Sequence, residues 1–330
     1  MTQRPALLTG FNFTKGVHAL LSEAYDLVGH LDRPEPALVT PALAGRVQGL
    51  VTTGSVGVSA ALMDALPRLS IVCCYGTGYE RIDLEAARKR SIAVTHGEGA
   101  NAPDVAEMAV GMLIASHRRI VRGDRLIRAG GWTERIPNRF GAVAGLTGAR
   151  IGILGLGAIG LEFARRMAGF GVEIGYHNRR KRADVAFPYF DTPMALATWC
   201  DHLIVCLRSD ASNRHIVNAE LLKALGPRGH LLNISRGWAV DEAALAEALR
   251  TGTIEGAALD VFDEDTRVPA DLLIRENIVM TPHFAGGTEH SIKRMSALVR
   301  ANLDAHFAGK QPVTSVPELR DLVSRPRPAR

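Results

Sequence analysis

Apolar runs of four to six residues recur along the chain, separated by polar, glycine-rich or helix-patterned stretches. Ala6-Leu7-Leu8-Thr9, Gly49-Leu50-Val51-Thr52 and Leu69-Ser70-Ile71-Val72-Cys73-Cys74 read as buried strands, with shorter strands at Tyr25–Val28 and Ile92–Val94. Between them, helices are expected over Lys15–Ala24, from a Ser59 cap to Leu66, and from Asp83 to Arg90, and Pro34, Pro36 and Pro41 mark a loop. Strands that alternate with helices build a parallel sheet covered on both faces, so the first hundred residues predict a small doubly wound domain. A long helix follows from Asn101 to about Arg119. It is apolar nearly all round, which fits burial on several sides, between domains or against a partner subunit. Gly130-Gly131-Trp132 and Pro137 mark a loop. Six further strands are expected at Arg150–Leu154, Val172–Tyr176, His202–Cys206, His230–Ile234, Ala257–Val261 and Ile278–Met280, and a final amphipathic helix at Ser291–Phe307.

The most informative stretch is Ile151-Gly-Ile-Leu-Gly-Leu-Gly-Ala-Ile-Gly160. An apolar strand leads into Gly155-x-Gly157-x-x-Gly160 and then into a helix. In a dinucleotide-binding turn these glycines would let the chain turn (Gly155), let the backbone approach a pyrophosphate (Gly157) and let the helix pack on its strand (Gly160). Leu156, Ala158 and Ile159 complete the cradle, and the helix N-terminus offers unpaired N–H groups to phosphate. The second strand of this unit ends in Tyr176-His177-Asn178-Arg179-Arg180-Lys181-Arg182, with no carboxylate to hold a ribose 2′-hydroxyl. Guanidinium groups there favour a 2′-phosphate, so Asn178, Arg179 and Arg180 predict NADP(H) over NAD(H); a solvated basic loop is the plainer alternative.

Three later strands end in polar groups: Asn233-Ile234-Ser235-Arg236-Gly237, Asp260-Val261-Phe262-Asp263-Glu264-Asp265 and Thr281-Pro282-His283-Phe284. Carboxyl ends of parallel strands face the ligand crevice. An Arg, a carboxylate and a His gathered there suit hydride transfer to a 2-keto acid. The Arg would hold the substrate carboxylate and polarise the ketone, the His would give the proton, and the acid would keep that His charged and oriented. Taken singly, each has an ordinary structural explanation; their coincidence at three strand ends is the signal.

Composition narrows the field. The 330 residues are 47% hydrophobic and 22% charged, with a net charge of +5, values of a soluble globular chain of about two domains. The basic residues are dispersed apart from Arg179–Arg182, which argues against nucleic acid. No apolar run could span a bilayer, Met1-Thr-Gln-Arg-Pro has no leader-like apolar region, and Cys73, Cys74, Cys200 and Cys206 form no C-x-x-C pair; a reducing cytoplasm is expected. No H-E-x-x-H and no Cys/His cluster occurs along the sequence, so no metal site is expected, and Gly54-Ser55-Val56-Gly57 lacks the spacing of a nucleophile elbow.

With these motifs in place, the chain resembles the D-isomer-specific 2-hydroxyacid dehydrogenases, in particular the NADPH-dependent glyoxylate, hydroxypyruvate and hydroxyphenylpyruvate reductases. The resemblance runs through Val51–Gly57, Cys74–Asp83, Gly152–Gly160, Ala224–Gly229, Asn233–Gly237 with Val240-Asp-Glu242, Ala258–Phe262, Thr281–His283 and Asn302–Lys310. It implies an α/β protein of two doubly wound parallel-sheet domains. A Rossmann cofactor domain, residues 102–284, would be inserted into a flavodoxin-like substrate domain, residues 1–101 plus 285–330, in a twofold homodimer formed partly by the long helix. It implies Arg236 as the substrate-binding arginine and His283 as the acid/base. It also implies substrate contacts through backbone N–H groups of Gly76-Thr77-Gly78, and nicotinamide contacts through Asp260 and the backbone of Ile234. Thr53, Gly54 and Tyr75, with Trp132 or Trp238, are expected around the substrate side chain.

Two departures stand out. The family's glutamate falls on Asp265, one methylene shorter, with Thr266 in place of the next proline and Glu264 as an alternative acid. Cys206-Leu207-Arg208-Ser209 replaces a Pro-Leu-Thr run beside the adenosine. The rival reading is a non-catalytic NADP(H)-binding sensor or corepressor-like module on the same fold.

Overall fold

The structure, a computed structural model, describes residues 4–33, 35–133, 142–208, 211–264 and 266–322. Pro34, Pro137, Ser209 and Asp265 lie outside the described residues. The chain divides into two compact units, Met1–Asn101 with Glu289–Arg330, and Ala102–Thr288.

The first unit is a five-stranded parallel sheet in the order β2-β1-β3-β4-β5, from β1 (Ala6–Thr9), β2 (Asp26–His30), β3 (Gly49–Thr52), β4 (Ile71–Cys74) and β5 (Ala93–Thr95). Side chains alternate between the sheet's two faces. Leu8, Leu50, Val72 and Val94 join one buried cluster, and Leu7, Val51, Ile71 and Ala93 join another. Each face therefore needs helices, here α1 (Lys15–Ser22), α2 (Pro41–Ala44), α3 (Ala60–Ala65), α4 (Leu84–Lys89) and a C-terminal helix, Glu289–Phe307, described last. Ser59 and Asp83 cap α3 and α4, accepting from Leu62 N at 3.2 Å and Ala86 N at 2.8 Å. The C-terminal helix buries Val299 and Leu303 in the core of this unit.

The second unit opens with α5 (Ala102–His117), whose buried side chains include Val105, Ala106, Ala109, Met112 and Leu113. A helix not foreseen from the sequence follows directly, α6 (Ile120–Arg128), broken from α5 at Arg119, whose backbone is left-handed (φ 54°). No α6 residue is buried, although its apolar residues gather on one side and Ile120 and Ile127 are exposed.

The six parallel strands are β6 (Arg150–Leu154), β7 (Glu173–His177), β8 (His202–Val205), β9 (His230–Asn233), β10 (Gly256–Leu259) and β11 (Ile278–Met280). Their order is β11-β10-β9-β8-β6-β7, so the strand order reverses beside β6, and the glycine turn that follows β6 sits at that switch point. Among the described residues the remaining α-helices are α7 (Ala158–Met167), α8 (Pro193–Trp199), α9 (Ala219–Leu225), α10 (Glu242–Thr251), α11 (Ala270–Leu273) and, back in the first unit, α12 (Glu289–Phe307). Residues 285–288 fall with the second unit. The N–H of Ala285 binds the Asp260 carboxylate at 2.9 Å, and the Thr288 hydroxyl binds Asp104 at 2.5 Å. Among the described residues no helix is long and apolar enough to cross a membrane.

Candidate active site

The turn after β6 has the shape its glycines predicted. Gly155 has φ +101°, and a methyl group on it would lie 2.9 Å from the Cys206 carbonyl carbon and the Leu207 nitrogen. The stretch that departs from the family pattern therefore packs directly on this turn. A methyl on Gly160 would lie 2.6 Å from the Gly155 carbonyl oxygen, whereas Gly157 faces open space. Gly157 and Ala158 are exposed, Ile159 is half-buried, and Leu156 is buried. This open cradle at the start of α7, with its first-turn N–H groups, fits a pyrophosphate.

The basic run at the end of β7 splits in two. Asn178 Oδ1 accepts from Leu156 N at 2.6 Å, and Arg182 donates to Leu156 O at 2.8 Å. The Leu156 peptide is thus held on both sides. Arg182 is itself aimed by Asp184 (2.9 Å), and the Tyr176 hydroxyl accepts from its backbone N–H at 2.9 Å. Arg179, Arg180 and Lys181 are the exposed cations of the run. Sequence reasoning missed Arg182 as a brace of the glycine turn; a basic residue followed two positions later by an acid was the available signal.

At the end of β9, the Asn233 side chain knits the next loop together. Its Oδ1 accepts from Ser235 N (3.0 Å) and Ser235 Oγ (2.8 Å), while Nδ2 donates to Arg236 O (2.9 Å). Ile234 is buried and donates to Val205 O at 3.3 Å. Arg236 is half-buried and donates to Ser235 O at 2.8 Å. A methyl on Gly237 would sit 1.7 Å from the Phe262 carbonyl carbon, so only glycine lets the loops after β9 and β10 meet. The sequence pointed to the glycine only as a motif member. Glu242, at the start of α10, accepts from Asp263 N at 2.8 Å; burial, with help from the Asp263 and Glu264 charges, raises its pKa above the usual carboxylate range.

Asp260 is 1% exposed. Its Oδ1 accepts from the Thr281 hydroxyl at 2.5 Å and from Phe284 N at 2.9 Å, its Oδ2 accepts from Ala285 N at 2.9 Å, and its backbone carbonyl accepts from His283 N at 2.8 Å. The carboxylate is therefore the anchor of the His283 loop, a role the motif alone did not suggest. His283 itself is exposed and left-handed, with φ +51°. A non-glycine residue in that region carries about 1–2 kcal/mol of strain, tolerated where the surroundings over-determine it, often at functional sites. Glu264 pairs with Arg267 at 3.7 Å.

In the first unit, two loops at strand ends touch. A methyl on Gly54 would lie 2.3 Å from the Gly78 carbonyl oxygen. Thr53 Oγ1 accepts from Val56 N at 3.3 Å, Gly76 has φ +113° and accepts from Gly97 N at 2.6 Å, and Thr77 donates to Asn101 at 2.8 Å. Thr53-Gly54 and Gly76-Thr77-Gly78 are thus brought together. Tyr75 turns its hydroxyl to α12, donating to Ile292 O at 3.3 Å. Trp132 is exposed and Trp238 half-buried.

The fold and these strand-end loops define a nicotinamide-dependent dehydrogenase architecture. The sequence model described as D-isomer specific 2-hydroxyacid dehydrogenase, NAD binding domain, matches residues 110–285. The chain is 36% identical over 296 residues to glyoxylate/hydroxypyruvate reductase A of Arabidopsis thaliana, covering 90% of this chain and 94% of that protein. It is 35% identical to the 2-ketogluconate reductase of Gluconobacter oxydans, covering 96% and 100%. Among solved structures, the NADPH-dependent glyoxylate/hydroxypyruvate reductase of Sinorhizobium meliloti, in complex with NADP and malonate, superposes with a TM-score of 0.89 at 38% identity, covering 99% of this chain and 100% of that one. The chain belongs to the D-isomer-specific 2-hydroxyacid dehydrogenase family.

Proposed function

We propose that this protein reduces a small 2-keto acid of the glyoxylate/hydroxypyruvate class to the D-2-hydroxy acid with NADPH, as a cytoplasmic homodimer. The observation that carries the reading is His283, left-handed at a strand end and anchored by the buried Asp260. The first unit is the substrate domain and the second the cofactor domain. Gly155–Gly160 receives the pyrophosphate, Arg179 and Arg180 with Asn178 define the 2′-phosphate end, and Ile234 and Asp260 flank the nicotinamide.

NADPH supplies the hydride. Arg236 pairs with the substrate carboxylate and polarises the ketone, and the N–H groups of Gly76-Thr77-Gly78 would also serve substrate binding. Thr53 and Gly54 line the side-chain end. His283 gives its proton to the carbonyl oxygen as the carbon takes the hydride, so the products are the hydroxy acid and the oxidised cofactor. Asp265 stabilises the imidazolium before transfer. The NADP bound to the Sinorhizobium meliloti reductase supports the cofactor, and the names of the reductase relatives support the substrate class.

Initial rates of NADPH and NADH oxidation with glyoxylate, hydroxypyruvate, phenylpyruvate and 2-ketogluconate test the proposal. The expected result is fast turnover of a small acid with NADPH. NADPH binding without turnover of any of the four would favour the sensor reading. Light scattering should return twice the 35.5 kDa chain mass.

A further inference from the structure

The amino ends of the second sheet's strands hold a group that plays no part in the proposed reaction. His117 ends α5, His202 opens β8 and His230 opens β9, and the two strand residues are direct ladder partners. The three side chains are 3%, 2% and 3% exposed. Their rings pack with centroids 4.7, 5.0 and 5.3 Å apart. One ring nitrogen from each lies within 4.8 Å of the others'. Both ring nitrogens of His117 and the Nδ1 atoms of His202 and His230 are buried with no hydrogen-bond partner. Each buried polar atom left unpaired costs about 1–3 kcal/mol, so four in one place are expensive unless something meets them.

We propose that His117, His202 and His230 together bind one divalent transition-metal ion of the Zn(II), Co(II) or Ni(II) class. Imidazole nitrogen suits these ions, and three histidines with an open fourth position form a complete protein ligand set. Metal–nitrogen bonds of about 2.0–2.1 Å place tetrahedral ligand nitrogens roughly 3.3 Å apart, which modest side-chain rotations reach from the observed spacing. The rings are also ready to bind. Burial first, then the neighbouring imidazoles, pushes the His202 pKa down to about 3; burial and then His117 push His230 down to about 4. Neutral imidazole needs no proton displaced at physiological pH.

His230 also lines a solvent-connected cleft with Ser116, Arg119, Glu255 and Glu276, which gives the ion an entry and a water for the fourth position. The Arg119–Glu255 ion pair (2.9 Å) balances its own charge at that mouth. The ion would tie the end of α5 to β8 and β9. The four-residue strands span roughly 13 Å, which sets this site apart from the loops at their carboxyl ends. Its effect is therefore stability of the second unit rather than chemistry on the substrate.

The test uses the full chain, free of any affinity tag and stripped with a chelator, titrated with Zn(II) and Co(II) by calorimetry and visible absorption. One equivalent is expected, with ligand-field bands of a nitrogen-rich Co(II) site. Free Zn(II) at a hundred times Kd should raise Tm by about 5–10 °C. His117→Phe and His202→Phe keep a ring in place and should weaken binding at least tenfold and abolish the Tm shift. Should either variant fail to fold, the wild-type stoichiometry and Co(II) spectrum decide alone. Wild-type affinity weaker than about 100 μM, or equal binding by the phenylalanine variants, overturns the proposal.

Discussion

The two rims of the second sheet are both rich in buried polar side chains, yet they are finished in opposite ways. At the carboxyl rim, Asp260 accepts from three donors and Asn233 makes three hydrogen bonds, so the loops carrying Arg236 and His283 are held in place from below. At the amino rim, His117, His202 and His230 converge with ring nitrogens that the protein does not satisfy. The difference teaches what each rim is built for. A satisfied network fixes loop geometry before any substrate arrives. Three converging imidazoles, each with a buried ring nitrogen left unpaired, have the makings of a coordination shell that a metal would complete.

The comparison can be broken most forcefully at the carboxyl rim. His283→Asn removes the proton donor and should lower kcat by about 10²–10⁴-fold, with NADPH affinity by fluorescence titration little changed. A loss below fivefold would remove His283 from the chemistry. Next in size, Asp260→Ala strands the Thr281 hydroxyl and the Phe284 and Ala285 N–H groups. Urea unfolding should show a loss of about 3–5 kcal/mol. A loss under about 1 kcal/mol, the worth of a single hydrogen bond, would mean the His283 loop is held elsewhere.

The amino rim is best read by pH. The folded pKa values of His202 and His230 lie below the unfolded value of about 6.5, so the unfolded chain takes up protons first as pH falls. The stability these rings contribute is complete above about pH 6.5 and is lost progressively toward pH 4, with about 2 kcal/mol gone per ring at pH 5. His306 in the first unit, also pushed down to about 4 by burial, adds a similar slope. The difference between wild type and His202→Phe, measured at about pH 7.5 and pH 5, isolates the amino rim; identical slopes would contradict the burial argument. The smallest effect belongs to the exposed cations. Arg179→Ala with Arg180→Ala should raise the NADPH KM about tenfold while leaving the NADH KM nearly unchanged, since only the former carries the 2′-phosphate. Equal changes for both cofactors would place the phosphate elsewhere.

Much of this was legible in the residues. The strands could be read because apolar runs bounded by turn residues have few other outcomes, and the glycine turn because Gly155 and Gly160 leave no room for a side chain. The placement of Arg236 and His283 at strand ends followed from parallel topology. Helix α6 was not foreseen although its sequence carries a one-sided apolar pattern, Ile120, Val121, Leu126 and Ile127; that pattern is short and none of its residues is buried within this chain. The brace role of Arg182 was hidden within a run of four basic residues, where only geometry separates a cation that faces solvent from one that folds back. Asp265, the shortened acid, lies outside the described residues.

By itself, the sequence determined the two parallel sheets, the dinucleotide turn and the residue types available for hydride chemistry, because local spacing and propensity decide these. The tertiary structure alone decided that Asp260 anchors the His283 loop, that Gly237 must be glycine for two loops to meet, and that three histidines with no motif between them share one buried point. Those facts depend on strand order and on contacts between residues far apart in the chain, which no local pattern encodes.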